Sequence, residues 1–317
     1  MRTRDPDKAD FFFVPGYGIC MFEGGWMKPA ELDQFYSELI PQLPHFPRTR
    51  GRDHIFTFAS GMGINLFRRW QEYIPLSIIL TPETELFNDV PYVTVPAFDT
   101  WRDVAIPGLL HGAEVLGLRA GARPAADREW LAVFFGSVDA SRGPHPVVGG
   151  PDVRAAIRDL AQDHPDEVLV ASKMPIPEMH AQMGNARFCL IPRGKSAWSL
   201  RFYEALFAGC VPVVLSDGWE LPYEDLLDLP QFVIKWPMGE VGEGMLRYLR
   251  ALPVEVVARM QARGARDRCW YWYPPALAER HDNVADAAAA VCPEEGVSAQ
   301  EGLRRVLERK RRRTKVA

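Results

Sequence analysis

The chain has 317 residues, 47% of them hydrophobic and 11% aromatic, enough to bury the cores of two ordinary domains. Its 37 Lys and Arg against 41 Asp and Glu leave a formal net charge of -4, so no global field favours nucleic acid, and small molecules or neutral polymers are the expected partners. No apolar run is long enough for a transmembrane helix, and Met1 leads straight into the charged RTRDPDKAD without a signal peptide, so no membrane segment is expected in this chain.

Short apolar runs alternate with amphipathic stretches, the pattern of an α/β protein with mainly parallel strands. In the first half, strands are predicted at Phe11–Val14, Ile55–Phe58, Ser77–Leu80 and Tyr92–Val95, and helices at Ala30–Leu39 and Ile64–Tyr73. The Gly, Pro and Ala-rich stretch Leu118–Asp127 lacks apolar periodicity and reads as an interdomain linker. Beyond it come a strand at Leu131–Phe135, a helix at Val153–Gln162, a strand at Val168–Ala171, a helix at Glu178–Asn185 and a strand at Phe188–Ile191. A helix at Ser199–Phe207 and a strand at Val211–Leu215 complete this run of βα units, which predicts a doubly wound sheet. Helices follow at Gly242–Leu252 and Pro253–Trp270. The expected organisation is a first domain over residues 1–120, a second over 121–292 and a helical basic tail over 293–317. The run from Glu308 to Val316 in that tail is read as solvated rather than as a nucleic-acid or membrane patch.

Cys20, Cys189, Cys210, Cys269 and Cys292 have neither zinc-site nor CxxC spacing. Cys189 and Cys210 lie inside apolar runs and are expected as buried free thiols; one disulfide among the others is left open.

The segment Phe188 to Pro222, FCLIPRGKSAWSLRFYEALFAGCVPVVLSDGWELP, carries the most chemistry. An apolar strand runs into Arg193, Gly194 and Lys195, a donor-rich loop at the carboxyl edge of a parallel sheet, where open α/β sheets bind ligands. Ser199 is placed to cap the next helix, whose amino end attracts anions. Arg193, Lys195 and Arg201 flank that end, so a diphosphate is the natural guest, and Glu204, one turn on, can accept both hydroxyls of a ribose. An Arg–Glu pair at this spacing is by itself an ordinary surface feature; cationic loop, capped helix and inward Glu together make the case.

This stretch resembles the signature of the exostosin family, inverting glycosyltransferases of the GT-B architecture with two facing Rossmann-like domains. The likeness is carried by Phe188, Cys189, Leu190, Pro192, Arg193, Gly194, Ser199, Arg201, Phe202, Glu204, Ala205, Gly209, Cys210, Pro212, Trp219 and Glu220 in family spacing. RTRDPDKADFFFVP, GRDHIFTFASGMG and WRDVAIPG extend it from Arg2 to about Trp272, and SIILTPE and IKWP are similar to plant and green-algal members, some of which resemble cell-wall glycoprotein arabinosyltransferases. The resemblance implies α/β fold with parallel sheets and C-terminal helices, and transfer with inversion from a nucleotide-sugar donor, UDP-linked, to a glycan or glycoprotein acceptor. It implies that Arg193 and Arg201 hold the diphosphate, Ser199 assists, Glu204 holds the ribose, and Trp219 and Glu220 lie near sugar or nucleobase, with packing as the rival role for Trp219. A Golgi lumenal address and association with family members are further implications. Family members carry sequence and a strand before the DPxxAD segment, so a first domain short of its leading strand is expected. The alternative is a non-catalytic exostosin-like domain that binds glycans or assembles with a partner.

Inversion needs a general base on the far side of the anomeric carbon from the leaving group. Asp53 and His54 are the first candidates, then Asp99 and Asp103, with Glu23 and Glu83 left open; His54 also reads as a structural histidine. No His/Asp cluster has ligand spacing and the cationic loop can neutralise the leaving group, so metal-independent chemistry without a cofactor is expected. A dehydrogenase is disfavoured because GYGICMFEGG lacks the GxGxxG spacing.

Overall fold

A computed structural model describes residues 3–61, 63–85, 98–138, 152–194, 196–273, 291–292 and 297–314, with side chains to 311. The strand expected at Tyr92–Val95 and the loop residue Lys195 lie outside the described residues. The chain forms two compact units: 1–106 with 220–222 and 303–317, and 107–219 with 223–302. The division therefore falls at Ile106/Pro107, ahead of the boundary expected at 120, because the predicted linker is largely structured.

The first unit holds a parallel sheet in the order β1 (Phe12–Val14), β2 (His54–Thr57), β3 (Ile78–Thr81) and β4 (Val104–Ala105). Helices α1 (Gly18–Glu23), α2 (Pro29–Leu39), α3 (Phe46–Thr49) and α4 (Trp70–Tyr73) connect them. Pro29 sits in the first turn of α2, where its missing N–H costs nothing, and Glu31 takes the Lys28 N–H at 2.7 Å. Leu32 and Tyr36, one turn apart on α2, turn into a core with Phe56, Phe58 and Phe67. The helix expected over Ile64–Tyr73 is instead a 3-10 turn at Gly63–Leu66 followed by α4. Ile64, Leu66, Phe67 and Trp70 are all buried, a pattern with no solvent face for a single amphipathic helix.

The second unit contains β5 (Trp130–Phe135), β6 (Val168–Ala171), β7 (Ala186–Pro192), β8 (Val211–Leu215) and β9 (Ile234–Lys235), all parallel, in the order β6-β5-β7-β8-β9. Its helices are α5 (Gly112–Ala120), α6 (Val153–Asp163), α7 (Ile176–Gly184), α8 (Arg201–Phe207), α9 (Glu243–Ala251) and α10 (Val254–Asp267). Helix α5 takes up the start of the predicted linker; Glu114 caps it by accepting the His111 N–H at 2.8 Å. Helix α6 starts at Asp152, whose carboxylate accepts the Ala155 N–H at 3.0 Å, and buries Val153, Ile157 and Leu160 on one stripe.

A buried arginine ties this unit together. Arg128, 4% exposed, donates to the carbonyls of Arg123 (2.8 Å), Met183 (3.4 Å), Ala186 (2.6 Å) and Ala208 (3.2 Å), so it joins the last turn of α7, the start of β7 and the end of α8, where helical carbonyls lack partners. Burial lowers its pKa to about 10, and it stays charged at neutral pH.

Cys189 and Cys210 are buried but not free, which corrects the sequence reading: they form a disulfide. Residue 189 pairs with 212 across β7 and β8, which brings the two α-carbons to 5.7 Å, within bridging range. Cys269 and Cys292 form the second disulfide, and Cys20 is a free, exposed thiol.

Helix α11 (Ala299–Thr314) straddles the division at Leu303. The basic run is not wholly a solvated tail: Arg311 pairs with Asp10 at 2.8 Å and Lys310 donates to the Thr100 carbonyl at 2.6 Å, within the first unit. Among the described residues no helix is long and apolar enough to cross a membrane.

Candidate functional site

Strand β5 has β6 on one side and β7 on the other, so successive crossovers leave it in opposite directions. Such a switch point opens a crevice at the carboxyl ends of the two diverging strands. A cleft of about 490 Å³ lies there, bounded by Phe135 and Gly136 after β5 and by Pro192 at the end of β7. A larger concavity of about 1020 Å³ over β9, α9 and α10 contains none of the expected site residues.

The motif places Ser199, Arg201 and Glu204 in the cleft wall. Arg201 is ion-paired to Glu204, and its Nε donates to the Phe135 carbonyl at 3.3 Å. Helix α8 begins at Arg201 rather than Ser199, with Leu200 in the capping position; the Ser199 hydroxyl accepts the Arg201 N–H at a long 3.4 Å. The expected serine cap is thus a loop contact, and a seven-residue helix offers only a short dipole. Arg193 continues β7, its N–H donating to the Leu215 carbonyl at 3.0 Å, and its side chain is not part of the cleft wall. The Gly194 N–H donates to the Ser196 carbonyl at 3.0 Å.

Two cleft residues were not anticipated from the sequence. Arg154, near the start of α6, donates from Nε to the Arg193 carbonyl at 3.0 Å and from Nη1 to the Ser137 carbonyl at 2.8 Å. Burial lowers its pKa, with Asp152 opposing the shift. His180 on α7 is 5% exposed and lines the same cleft. Burial lowers the pKa of its imidazole, against the opposing pull of Glu204 and Glu114, so the neutral form is favoured. Their helices read as core-facing stripes; the available signal was position, since a cation opening the helix after the first strand of a doubly wound unit stands at the ligand edge.

Trp219, expected near sugar or base, is 2% exposed and packs edge-on against Phe202 at 5.5 Å, so it is a core residue. Glu220 belongs to the first unit, where it accepts the Thr100 hydroxyl at 2.5 Å and donates its N–H to Thr84 Oγ1 at 2.9 Å.

The candidate base residues lie at two different edges of the first sheet. Asp53 precedes β2 and His54 opens it, so both stand at the amino edge of the first sheet, opposite the edge where parallel sheets bind ligands. His54 is 2% exposed, stacked on Phe12 at 5.0 Å and bonded to Asp53 at 2.7 Å, a histidine satisfied inside the core. Asp103, 1% exposed, precedes β4 and accepts the N–H groups of Ile79 and Asp99, each at 2.9 Å, and Arg102 at 2.7 Å. Asp99 caps its own turn, accepting the Trp101 N–H at 2.9 Å.

The carboxyl edge of that sheet carries Glu23 and Glu83 instead. Glu23, exposed at the end of α1, accepts the hydroxyl of Ser60 at 2.5 Å. Glu83, 3% exposed, follows β3; its N–H donates to Thr81 Oγ1 at 3.1 Å. Gly63 (φ 52°) lies against both, since a β-carbon there would come within 3.0 Å of Thr81 Oγ1 and 3.3 Å of the Glu83 β-carbon.

Two α/β units with parallel sheets, one carrying a cleft with charged side chains at its switch point, define a Rossmann-like protein. The exostosin GT47 domain matches residues 1–252, and the chain belongs to that family. A probable glucuronoxylan glucuronosyltransferase of Arabidopsis thaliana is 25% identical over 282 residues, covering 82% of this chain and 60% of its own length. A probable beta-1,4-xylosyltransferase of the same plant is 25% identical over 287 residues, covering 82% and 64%. The chain thus spans about three fifths of the length of these curated relatives. Among solved structures, an alpha-glucosyltransferase in complex with UDP is similar at a TM-score of 0.41 and 11% identity, covering 81% of this chain and 77% of that one.

Proposed function

We propose that this chain transfers a sugar, with inversion, from a nucleoside-diphosphate sugar held in the switch-point cleft of the second unit to a glycan acceptor. The observation that carries the reading is the convergence of Arg201, Glu204, Arg154 and His180 in one cleft at the carboxyl ends of β5 and β7. A diphosphate leaving group develops negative charge as the glycosidic bond breaks, and guanidinium groups turned to it in the cleft stabilise that charge. For that reason the transfer is proposed to need no metal. Glu204, paired to Arg201 in this structure, accepts the ribose hydroxyls when phosphate oxygens draw Arg201 away.

Glu23 is assigned as the base that removes the acceptor proton. It stands at the ligand edge of the first sheet, it is exposed, and the Ser60 hydroxyl orients its carboxylate. The names of the relatives give xylose and glucuronic acid as the first sugars to try, as UDP-linked donors, with xylan oligosaccharides as acceptors. The disulfides fit an oxidising, lumenal compartment.

The test is calorimetric titration of the purified chain with UDP and GDP, with and without manganese or chelator, followed by a transfer assay read as anomeric configuration by NMR. Chelator-resistant UDP binding and a product of inverted configuration support the reading. A folded chain that binds neither nucleotide sinks it.

A further inference from the structure

Two arginines of the second unit, Arg128 buried and Arg154 half-buried, donate to backbone carbonyls, and they differ in one respect. In Arg128 all three guanidinium nitrogens are used: Nε on Arg123, Nη1 on Ala186 and Nη2 on Ala208. In Arg154 only two are: Nε donates to Arg193 and Nη1 to Ser137, and among the described residues Nη2 has no hydrogen-bond partner. Those two bonds fix the fork between the chain leaving β5 and the chain leaving β7, where the cleft opens. Phe134 underlies the guanidinium, with Cζ 5.4 Å from the ring centroid. No carboxylate pairs with Arg154 among the described residues, whereas Arg201 already has Glu204.

Gly194 completes the arrangement. A β-carbon at that position would come within 2.9 Å of Arg154 Nη2, so the missing side chain is what lets the guanidinium lie this close to the chain leaving β7. A charge held by two neutral carbonyls and a ring face, in the wall of the cleft and with one donor unpaired among the described residues, suits an anion.

We propose that Arg154, which the signature segment does not contain, binds the phosphoryl oxygens of the nucleoside diphosphate in this cleft through Nη2. This rests on the donor-site reading above. Arg154 is the cation already set for phosphate, and Arg201 is the one that must first exchange its partner.

The experiment compares the full-length chain with Arg154→Gln and Gly194→Ala, titrating UDP and inorganic pyrophosphate by calorimetry and uridine by ligand-observed NMR, with thermal unfolding as the check on folding. Gly194→Ala displaces only the far end of a flexible side chain, so it probes the site with the Arg154 anchors in place. The expected result is a loss of about tenfold or more in affinity for UDP and pyrophosphate in both variants, the loss of one charge-assisted contact, with uridine binding unchanged. UDP bound equally by wild type and both folded variants overturns the proposal and leaves the donor reading standing. Equal weakening of UDP and uridine overturns it as well, since that marks a structural role. Pyrophosphate bound through Arg154 without any UDP binding keeps the anion site and sinks the nucleotide-sugar reading; binding of neither probe by the wild type removes both.

Discussion

Arg201 and Glu204 form an ion pair whose members are unequally buried, the carboxylate at 4% side-chain exposure and the guanidinium at 35%. Removing either partner is therefore not equivalent. Arg201→Ala leaves a carboxylate inside the protein without its counter-charge, and a loss of about 3 kcal/mol in unfolding free energy is expected. Glu204→Gln leaves a cation that can reach water, and a loss nearer 1 kcal/mol is expected. Urea unfolding of the two variants checks the asymmetry; equal losses would contradict it. Both variants should bind UDP more weakly.

The reassignment of the base separates two carboxylate environments of one sheet. Glu23→Gln is expected to lower the rate of transfer by about 10²- to 10⁴-fold, the usual contribution of general base catalysis, with UDP affinity unchanged. His54→Gln, at the opposite edge, should leave kcat near wild type in the fraction that folds. A fast Glu23→Gln enzyme beside a dead Glu83→Gln enzyme would transfer the role to Glu83.

The Cys189–Cys210 bridge closes a loop of 21 residues that contains Arg193, Gly194, Arg201 and Glu204. Chain-entropy arguments put such a closure at about 3 kcal/mol. The double Cys→Ala variant should lose stability of that order while the thermal transition of the intact protein falls under strong reductant. A transition insensitive to reductant would show that the two thiols are not joined.

Acid should weaken the fold before the carboxylates titrate. His54 and His180 both have pKa values lowered from 6.5, in each case chiefly by burial, so the folded state binds protons less readily than the unfolded one. Stability is then fully present above pH 6.5 and is lost as the pH falls from there through the lower folded-state values. The slope is at most about 1.4 kcal/mol per pH unit for each histidine. Urea midpoints between pH 8 and pH 5 read this directly, and His54→Gln should flatten part of the decline. A flat profile in the wild type would refute the assignment of both groups.

Strands β5, β6 and β8 have nearly or wholly the bounds the sequence suggests, because parallel strands covered on both faces must be apolar throughout and their ends are marked by a change of composition. The two-residue strands β4 and β9 are too short to leave a pattern, and their pairing is decided by neighbours distant in sequence. In the site, Arg201 and Glu204 were legible because helical spacing fixes which residues share a face. Arg154 and His180 were not, since nothing local in VRAAIRDL or PEMHAQMG says that β5 and β7 become neighbours. Trp219 illustrates the limit of a motif: its place in the signature reflects packing on Phe202. The placement of Asp53 and His54 was avoidable, as a residue preceding a parallel strand lies at the edge away from the ligand.

The first unit is assembled from three stretches of chain, with Glu220 bonded to Thr100 and Thr84, and Arg311 bonded to Asp10. During synthesis its sheet can form from the first 106 residues, yet its last contacts wait until residue 311 has left the ribosome, after the whole second unit has been made. The unit that begins first therefore finishes last. Its exposed intermediate must persist through the translation of some two hundred residues, about ten to forty seconds at ordinary elongation rates, and that interval is where a chaperone or a slowed ribosome would act on this protein.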